Sequence, residues 1–184
     1  MQSCQFVRIT IRCYDKRSMV RIEPISPKLV ELYKSVRLRA LKESPLAFGS
    51  TYAKESQLSE AEWQNRATRL NGVRSAGYLA IDDAVGCGIA LGFVDENDET
   101  RAHLISMWVA PSHRRSGVGR SLVKEVVEWA HGRDVRDLIL MVTSSNDSAI
   151  RFYQHIGFEK TGRTEPYPND TCLFEFEMSC PLSR

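Results

Sequence analysis

Met107-Trp108-Val109-Ala110-Pro111-Ser112-His113-Arg114-Arg115-Ser116-Gly117-Val118-Gly119 joins a β-rich run to a strongly amphipathic one. The run before it, His103 to Val109, reads as a strand. The run after it, Val118 to His131, sets Val118, Leu122, Val126 and Ala130 in one stripe at helical spacing, with Gly132 just past the end. Between strand and helix lies Arg-x-x-Gly-x-Gly at 114–119. The start of a helix presents unpaired N–H groups and the positive end of the peptide dipoles, so it attracts phosphate. Gly117 and Gly119 permit close backbone approach, and Arg114, Arg115 and Arg120 add charge beside those donors. Together with Ser116, Val118 and Ser121 they form a candidate pyrophosphate-binding segment.

Other loops have the same look. A dinucleotide fingerprint would need a third glycine where Leu122 stands, and a nucleotide-hydrolase loop would need Gly-Lys-Ser/Thr, which is absent. A plain glycine-rich turn with solvated arginines is the competing structural reading. The preceding strand, the arginine placement and the following helix favour phosphate binding.

Outward from this loop the chain reads as β-α-α-β-β-β-α-β-α-β-β. Val20 to Ile25 alternates as a half-buried strand, and Ser26-Pro27 opens a helix through Leu41 that Ser44-Pro45 stops. Ser59-Glu60-Ala61-Glu62 has the capping-box form, so a second helix runs to Leu70. Tyr78–Ile81 and Cys87–Val94 flank a hairpin, Leu138–Val142 reads as a central strand, and Ser148–His155 as a short helix. Residues 157–163 and 172–178 close the pattern as strands. The order predicts one α/β (α+β) domain, a mixed and mostly antiparallel sheet of six to seven strands flanked by about four helices.

Composition narrows the function. The 184 residues are 42% apolar and 26% charged with a net charge of +2, too balanced to argue for nucleic acid. No apolar run reaches the about 20 residues that span a bilayer, so no membrane partner is expected. Five widely spaced cysteines without a Cys-x-x-Cys pair suggest neither a disulfide framework nor a metal site. The apolar stretch near the N-terminus is broken by Arg8, Arg12 and Asp15 and makes a poor signal peptide, so a cytoplasmic protein is expected. Residues 1–18 read as an N-terminal extension or a misassigned start, with the domain over 19–184.

The loop at 114–119 resembles the acetyl-CoA loop of the GNAT superfamily of N-acetyltransferases, whose pattern is Gln/Arg-x-x-Gly-x-Gly/Ala. The stretch from Asn146 to Phe158 is similar to that superfamily's second motif. Arg37 to Leu41 and Pro45 to Ser50 resemble the first helix and connector of many of its small bacterial members. The resemblance covers residues 20 to about 180. It implies the acyl-CoA N-acyltransferase fold, with the strands at 103–109 and 138–143 splayed by a bulge and pantetheine paired to backbone near Met107 and Val109. It further implies acetyl-CoA as acyl donor, no metal, a primary amine of a small molecule or protein as acceptor, and a homodimer as a plausible assembly.

Within that frame Tyr153 is the expected general acid, since a phenol stays protonated at neutral pH and can reprotonate a leaving thiolate. Asn146 and Tyr153 share a helix face at seven residues' spacing. Filling core space beside Phe152 and Phe158 is the alternative role for Tyr153. His103 is the candidate base: strand alternation puts it on one face with Ile105, Met107 and Val109, and some relatives carry a Glu or His there. An ordinary strand-start histidine is the competing view, and Glu23, Glu165, Glu175 or water remain alternatives. His113, His131 and His155 read as surface residues. The segment Thr164 to Asp170, with an exposed aromatic and two carboxylates, reads either as part of the acceptor cleft, where it would favour a cationic amine, or as a plain hairpin connection. A non-catalytic acetyl-CoA-binding sensor is the runner-up to the enzyme, and a nucleotide-binding domain a weaker third.

Overall fold

The computed structural model describes residues 20–182. The extension expected at 1–18 lies outside the described residues. Seven strands form one sheet in the order β1-β2-β3-β4-β5-β7-β6: β1 (Arg21–Pro24), β2 (Ser75–Asp82), β3 (Val85–Val94), β4 (Arg101–Val109), β5 (Asp137–Thr143), β6 (Glu159–Tyr167) and β7 (Asp170–Pro181). Among the described residues only β4 and β5 run parallel; every other neighbouring pair is antiparallel. The helices are α1 (Val30–Glu43), α2 (Tyr52–Glu55), α3 (Glu60–Arg69), α4 (Val118–His131) and α5 (Asp147–His155).

The helices start and face as their sequences dictate. Ser59 and Glu62 close the capping box on α3, each side chain bonding the other's backbone N–H. On α4 the stripe Val118, Leu122, Val126 and Ala130 is buried against β2, β3 and β4. Gly92 leaves the space for that contact, because a Cβ there would lie 2.8 Å from Val126. From the opposite sheet face α1 packs on β3, and a Cβ on Gly86 would meet Val36 at 2.1 Å. Leu79, Ile81, Ile89, Leu138 and Leu140 are the buried middle of this sandwich. No helix among the described residues is long and apolar enough to cross a membrane.

Two features depart from the sequence reading. The connector after α1 holds a turn of helix, α2, capped by the Thr51 hydroxyl on the Lys54 amide. And Thr164 to Tyr167 belong to β6 rather than to a loop, with Tyr167 buried, not exposed: its hydroxyl donates to the carbonyls of Pro45 and Phe48.

The short α2 exists to deliver Glu55. Arg37 of α1 grips that buried carboxylate through Nε at 3.0 Å and Nη2 at 2.7 Å, and Arg66 of α3 reaches it at 3.0 Å. Burial pushes the Glu55 carboxyl up, but the bonds and charge of Arg37, with Ser50 and Arg66, more than offset this and hold it below the ordinary glutamate value. A carboxyl lowered in the folded state stabilises above the unfolded pKa, and that contribution disappears as pH falls through the folded one. Removing one partner leaves a buried charge unpaired. Glu55→Ala is expected to lose about 3–5 kcal/mol in urea unfolding at pH 7; a loss under about 1 kcal/mol would show the pair to be incidental.

Candidate active site

The parallel pair β4 and β5 stays together for three residues only. Arg101, Ala102 and His103 pair with Asp137, Leu138 and Ile139, and beyond them the strands part. The cause lies in β4. Between Ile105 and Trp108 it holds one residue more than β3 opposite, and Ser106 there has a φ of 54°. The bulge is held from outside the sheet: Nη1 of Arg37 donates to the Ser106 hydroxyl at 3.2 Å.

The extra residue inverts the alternation of side chains. Ile105 and Ser106 face α1 and α3, whereas the tip of Met107 lies 3.2 Å from the Cβ position of Gly119 on the α4 side. His103 therefore shares a face with Ile105 but not with Met107 and Val109, contrary to simple alternation. Its Nε2 lies 2.6 Å from a carboxylate oxygen of Asp95, and its ring stacks on Phe93 at 4.5 Å. That bond and backbone donors hold the Asp95 carboxyl down at about 2.

A groove of about 700 Å³ fills the gap between the parted strands. Of the residues expected from sequence, Met107, Val109, Arg114, Arg115 and Gly117 line it, as do Gly119, Arg120, Asn146 and Tyr153. Ser116, Val118, Ser121 and His103 do not. Val118 is buried in the core, the Ser116 hydroxyl donates to the His113 carbonyl at 2.6 Å, and Ser121 donates its amide to Gly117 in the first bond of α4. The amides of Val118, Gly119 and Arg120 precede that first intrahelical bond, and no side chain caps the helix.

The loop entering α4 is bent back on itself by two left-handed residues, Arg115 at φ 63° and Gly117 at φ 91°. Such turns aim successive amides into one concavity, an anion-binding arrangement. Gly119 serves by lacking a side chain, since a Cβ would press on Phe152 at 3.1 Å. Arg114 is partly committed: Nε donates to the Val109 carbonyl at 2.9 Å, and Nη2 to Glu43 at 2.8 Å. Partial burial pushes the Glu43 carboxyl up, while donors on Ser44, Trp108 and Arg114 outweigh it and leave it lowered.

Tyr153 stands on the groove wall among aromatics, its ring 5.3 Å from Phe152 and 5.7 Å from Phe158. Burial pushes its phenol well above the ordinary value. Asn146 is the N-cap of α5, accepting from the Ala149 amide at 3.2 Å, so it reaches the groove from the cap rather than from a helical turn. The sequence reading overlooked Ala149, Phe152 and Ile156, which also line the groove. Their spacing on one face of α5 carried that signal, but it reads equally as core packing. His113 and His155, expected at the surface, line the groove too, and His113 also meets Asp82 at 3.0 Å. Among the described residues no group of His, Cys, Asp or Glu is arranged to hold a metal.

A sheet opened at a β4 bulge, with an anion-binding loop at the start of the next helix, defines an acyl-CoA N-acyltransferase fold. The profile of the Acetyltransferase (GNAT) family matches residues 38–158, and the chain belongs to that family. An acetyltransferase of the GNAT family from Streptococcus pneumoniae superposes with a TM-score of 0.75 at 20% identity, over 89% of this chain and 99% of the other. Structure yncA from Salmonella typhimurium, solved with its cofactor acetyl-CoA, superposes with a TM-score of 0.74 at 15% identity, over 90% and 95%. In sequence, the [ribosomal protein bS18]-alanine N-acetyltransferase of Escherichia coli K12 is 38% identical over 68 residues, 36% of this chain and 46% of that enzyme. Human N-acetyltransferase 8 is 35% identical over 66 residues, 36% of this chain and 29% of that protein. The chain thus matches less than half the length of these curated relatives.

A left-handed arginine costs about 1–2 kcal/mol relative to glycine in the folded loop, partly offset by the freedom glycine gains on unfolding. Arg115→Gly is expected to leave stability unchanged or raise it by up to about 1 kcal/mol in urea unfolding. A clear loss of stability would mean that the Arg115 side chain, not the ligand site, justifies its backbone.

Proposed function

We propose that this chain transfers the acetyl group of acetyl-CoA to a primary amine of a small molecule or protein, by direct attack within a ternary complex. The observation that carries this reading is the groove itself: parted strands, an uncapped helix start behind a left-handed loop, and a phenol on the wall, in one continuous space. The diphosphate of CoA sits on the amides of 115–120, with Arg115 and Arg120 beside it. Pantetheine follows the open edge of β4, adding to the sheet as a strand would. Fixing the thioester there supplies orientation, which contributes up to about 7–11 kcal/mol of the barrier in the best cases.

In the transfer the amine nitrogen bonds to the thioester carbonyl carbon and the carbon–sulfur bond breaks. The departing thiolate takes the phenolic proton of Tyr153, which solvent restores. The proton lost by the acceptor nitrogen passes to water or to a carboxylate on the α1 face of the sheet. Glu175 is the carboxylate on that face, and it would act through water because it lines neither cavity. It pairs with Thr143, whose hydroxyl reaches the Leu46 carbonyl on the same face, and burial with the charge of Glu165 raises its carboxyl above the ordinary glutamate value. His103 is withdrawn as base, because it faces Phe93 and Asp95 rather than the groove.

Tyr153→Phe removes the donor and keeps the ring. It is expected to lower kcat by about 100-fold or more while leaving the KM for acetyl-CoA within about threefold, read by thiol release. Burial raises the phenol, so its active, protonated form persists past the ordinary value of about 10, and no alkaline fall in kcat below that pH should trace to it. Unchanged turnover in the variant would remove Tyr153 from the chemistry. Thermal stabilisation by CoA without thiol release from any amine would instead mark a sensor.

A further inference from the structure

A second, shallower cavity of about 280 Å³ opens on the α1 face of the sheet, beside the β4 bulge. Its floor is apolar: Leu70, Leu91 and Ile105, the last still 41% exposed. Around the floor stand the guanidinium groups of Arg37, Arg66 and Arg69, together with Tyr33, and no carboxylate lines it. Arg37 and Arg66 share the single partner Glu55 from behind. Arg69 is exposed at the end of α3, with no side-chain ion pair among the described residues. Three cations against one anion leave the cavity positive.

Its position ties it to the groove. Ser106 lines this cavity and its neighbour Met107 lines the groove, so the two spaces meet across one residue of β4, where that strand has left β5. A molecule seated over Ile105 therefore lies against the place where the thioester is read to sit.

We propose that this cavity receives the anionic part of the acceptor, and that the amine acetylated carries a carboxylate a few bonds from its nitrogen. The inference rests on the acetyl transfer proposed above and names the acceptor class for it. The planar fork of an arginine matches a carboxylate with two parallel donors, which suits Arg69 and the outer edge of Arg66. The exposed face of Ile105 with Leu91 offers an apolar side chain a surface to cover. A positive surround also disfavours the ammonium form of the acceptor, so it promotes the neutral nucleophile and repels polycations. Against the cationic acceptor expected from the carboxylates of 164–170, Glu165 is paired with Arg163 at 2.5 Å, Asp170 accepts from the Cys172 amide at 2.9 Å, and Tyr167 is buried.

The test is thiol release from acetyl-CoA by the full chain with phenylalanine, phenethylamine and spermidine, repeated with Arg69→Gln, Arg69→Lys and Arg69→Glu. Phenylalanine and phenethylamine differ by the carboxylate alone, and the effect of that carboxylate on amine basicity cancels when the ratio of the two is compared between enzyme variants. Phenylalanine is expected to exceed both other amines in kcat/KM. Its advantage over phenethylamine should shrink about tenfold in Arg69→Gln, the worth of one charge-assisted hydrogen bond, mainly through KM for the amino acid. Arg69→Lys should keep part of the advantage, and Arg69→Glu should abolish it. Equal or faster reaction of phenethylamine or spermidine, or an advantage unmoved by Arg69→Glu, would overturn the acceptor class while acetyl transfer stands. Absence of thiol release with every amine would overturn both.

Discussion

Arg37 holds Glu55 with two of its donors and Ser106 with a third, and from that grip the shape of the site follows. A buried ion pair adds little net stability over well-packed apolar groups, because both charges must leave water. What it adds is position. The guanidinium is planar and fixed, further held over the Phe48 ring at 4.8 Å, so the hydroxyl of Ser106 can sit in one place only. A serine at positive φ is otherwise disfavoured. The anchored bulge turns Met107 toward α4 and α5, and with His103 the last β4 residue paired to β5, a continuous sheet becomes a cleft.

The opposite end of the cleft uses the same device differently. At Arg115 and Gly117 the backbone is again left-handed, and the prop is the neighbouring Arg114, which donates to the Val109 carbonyl and to Glu43. The amides the turn exposes are those at the head of α4, where the helix lacks a side-chain cap. One strained place lies within β4 and the other in the loop that follows it, beside strands β3 and β5 whose Ile89, Ala90 and Leu138 are fully buried.

Much of this was legible in the sequence, and the reasons are physical. The α4 stripe, the capping box of α3 and the Gly-x-Gly loop are local signals, written within a few residues of where they act, and the structure has α4 at Val118–His131 as its stripe implies. A bulge was expected from the family resemblance, but its position at Ser106 was not legible. Serine at 106 has no turn preference strong enough to mark it, and its anchor stands 69 residues earlier in the chain. Missing that one residue carried His103 to the wrong face, since alternation is only as good as the register it assumes. Tyr167 was misplaced for a related reason: turn-forming neighbours suggested a loop, while its partners at Pro45 and Phe48 lie about 120 positions away. The four-residue α2 is below the length at which periodicity speaks.

The hydroxyl of Tyr167, received by two carbonyls of the connector, has one more implication. Asn169 adds a donor to the Phe48 carbonyl, and Thr143 clasps Leu46, so the stretch from Pro45 to Phe48 is stitched to the far half of the sheet at three residues. A flap hinged on that stretch would have to tear all of these bonds at once. The connector is therefore tied to the sheet it crosses, a fixed lintel beside the groove that Ser44 and Ala47 help to line.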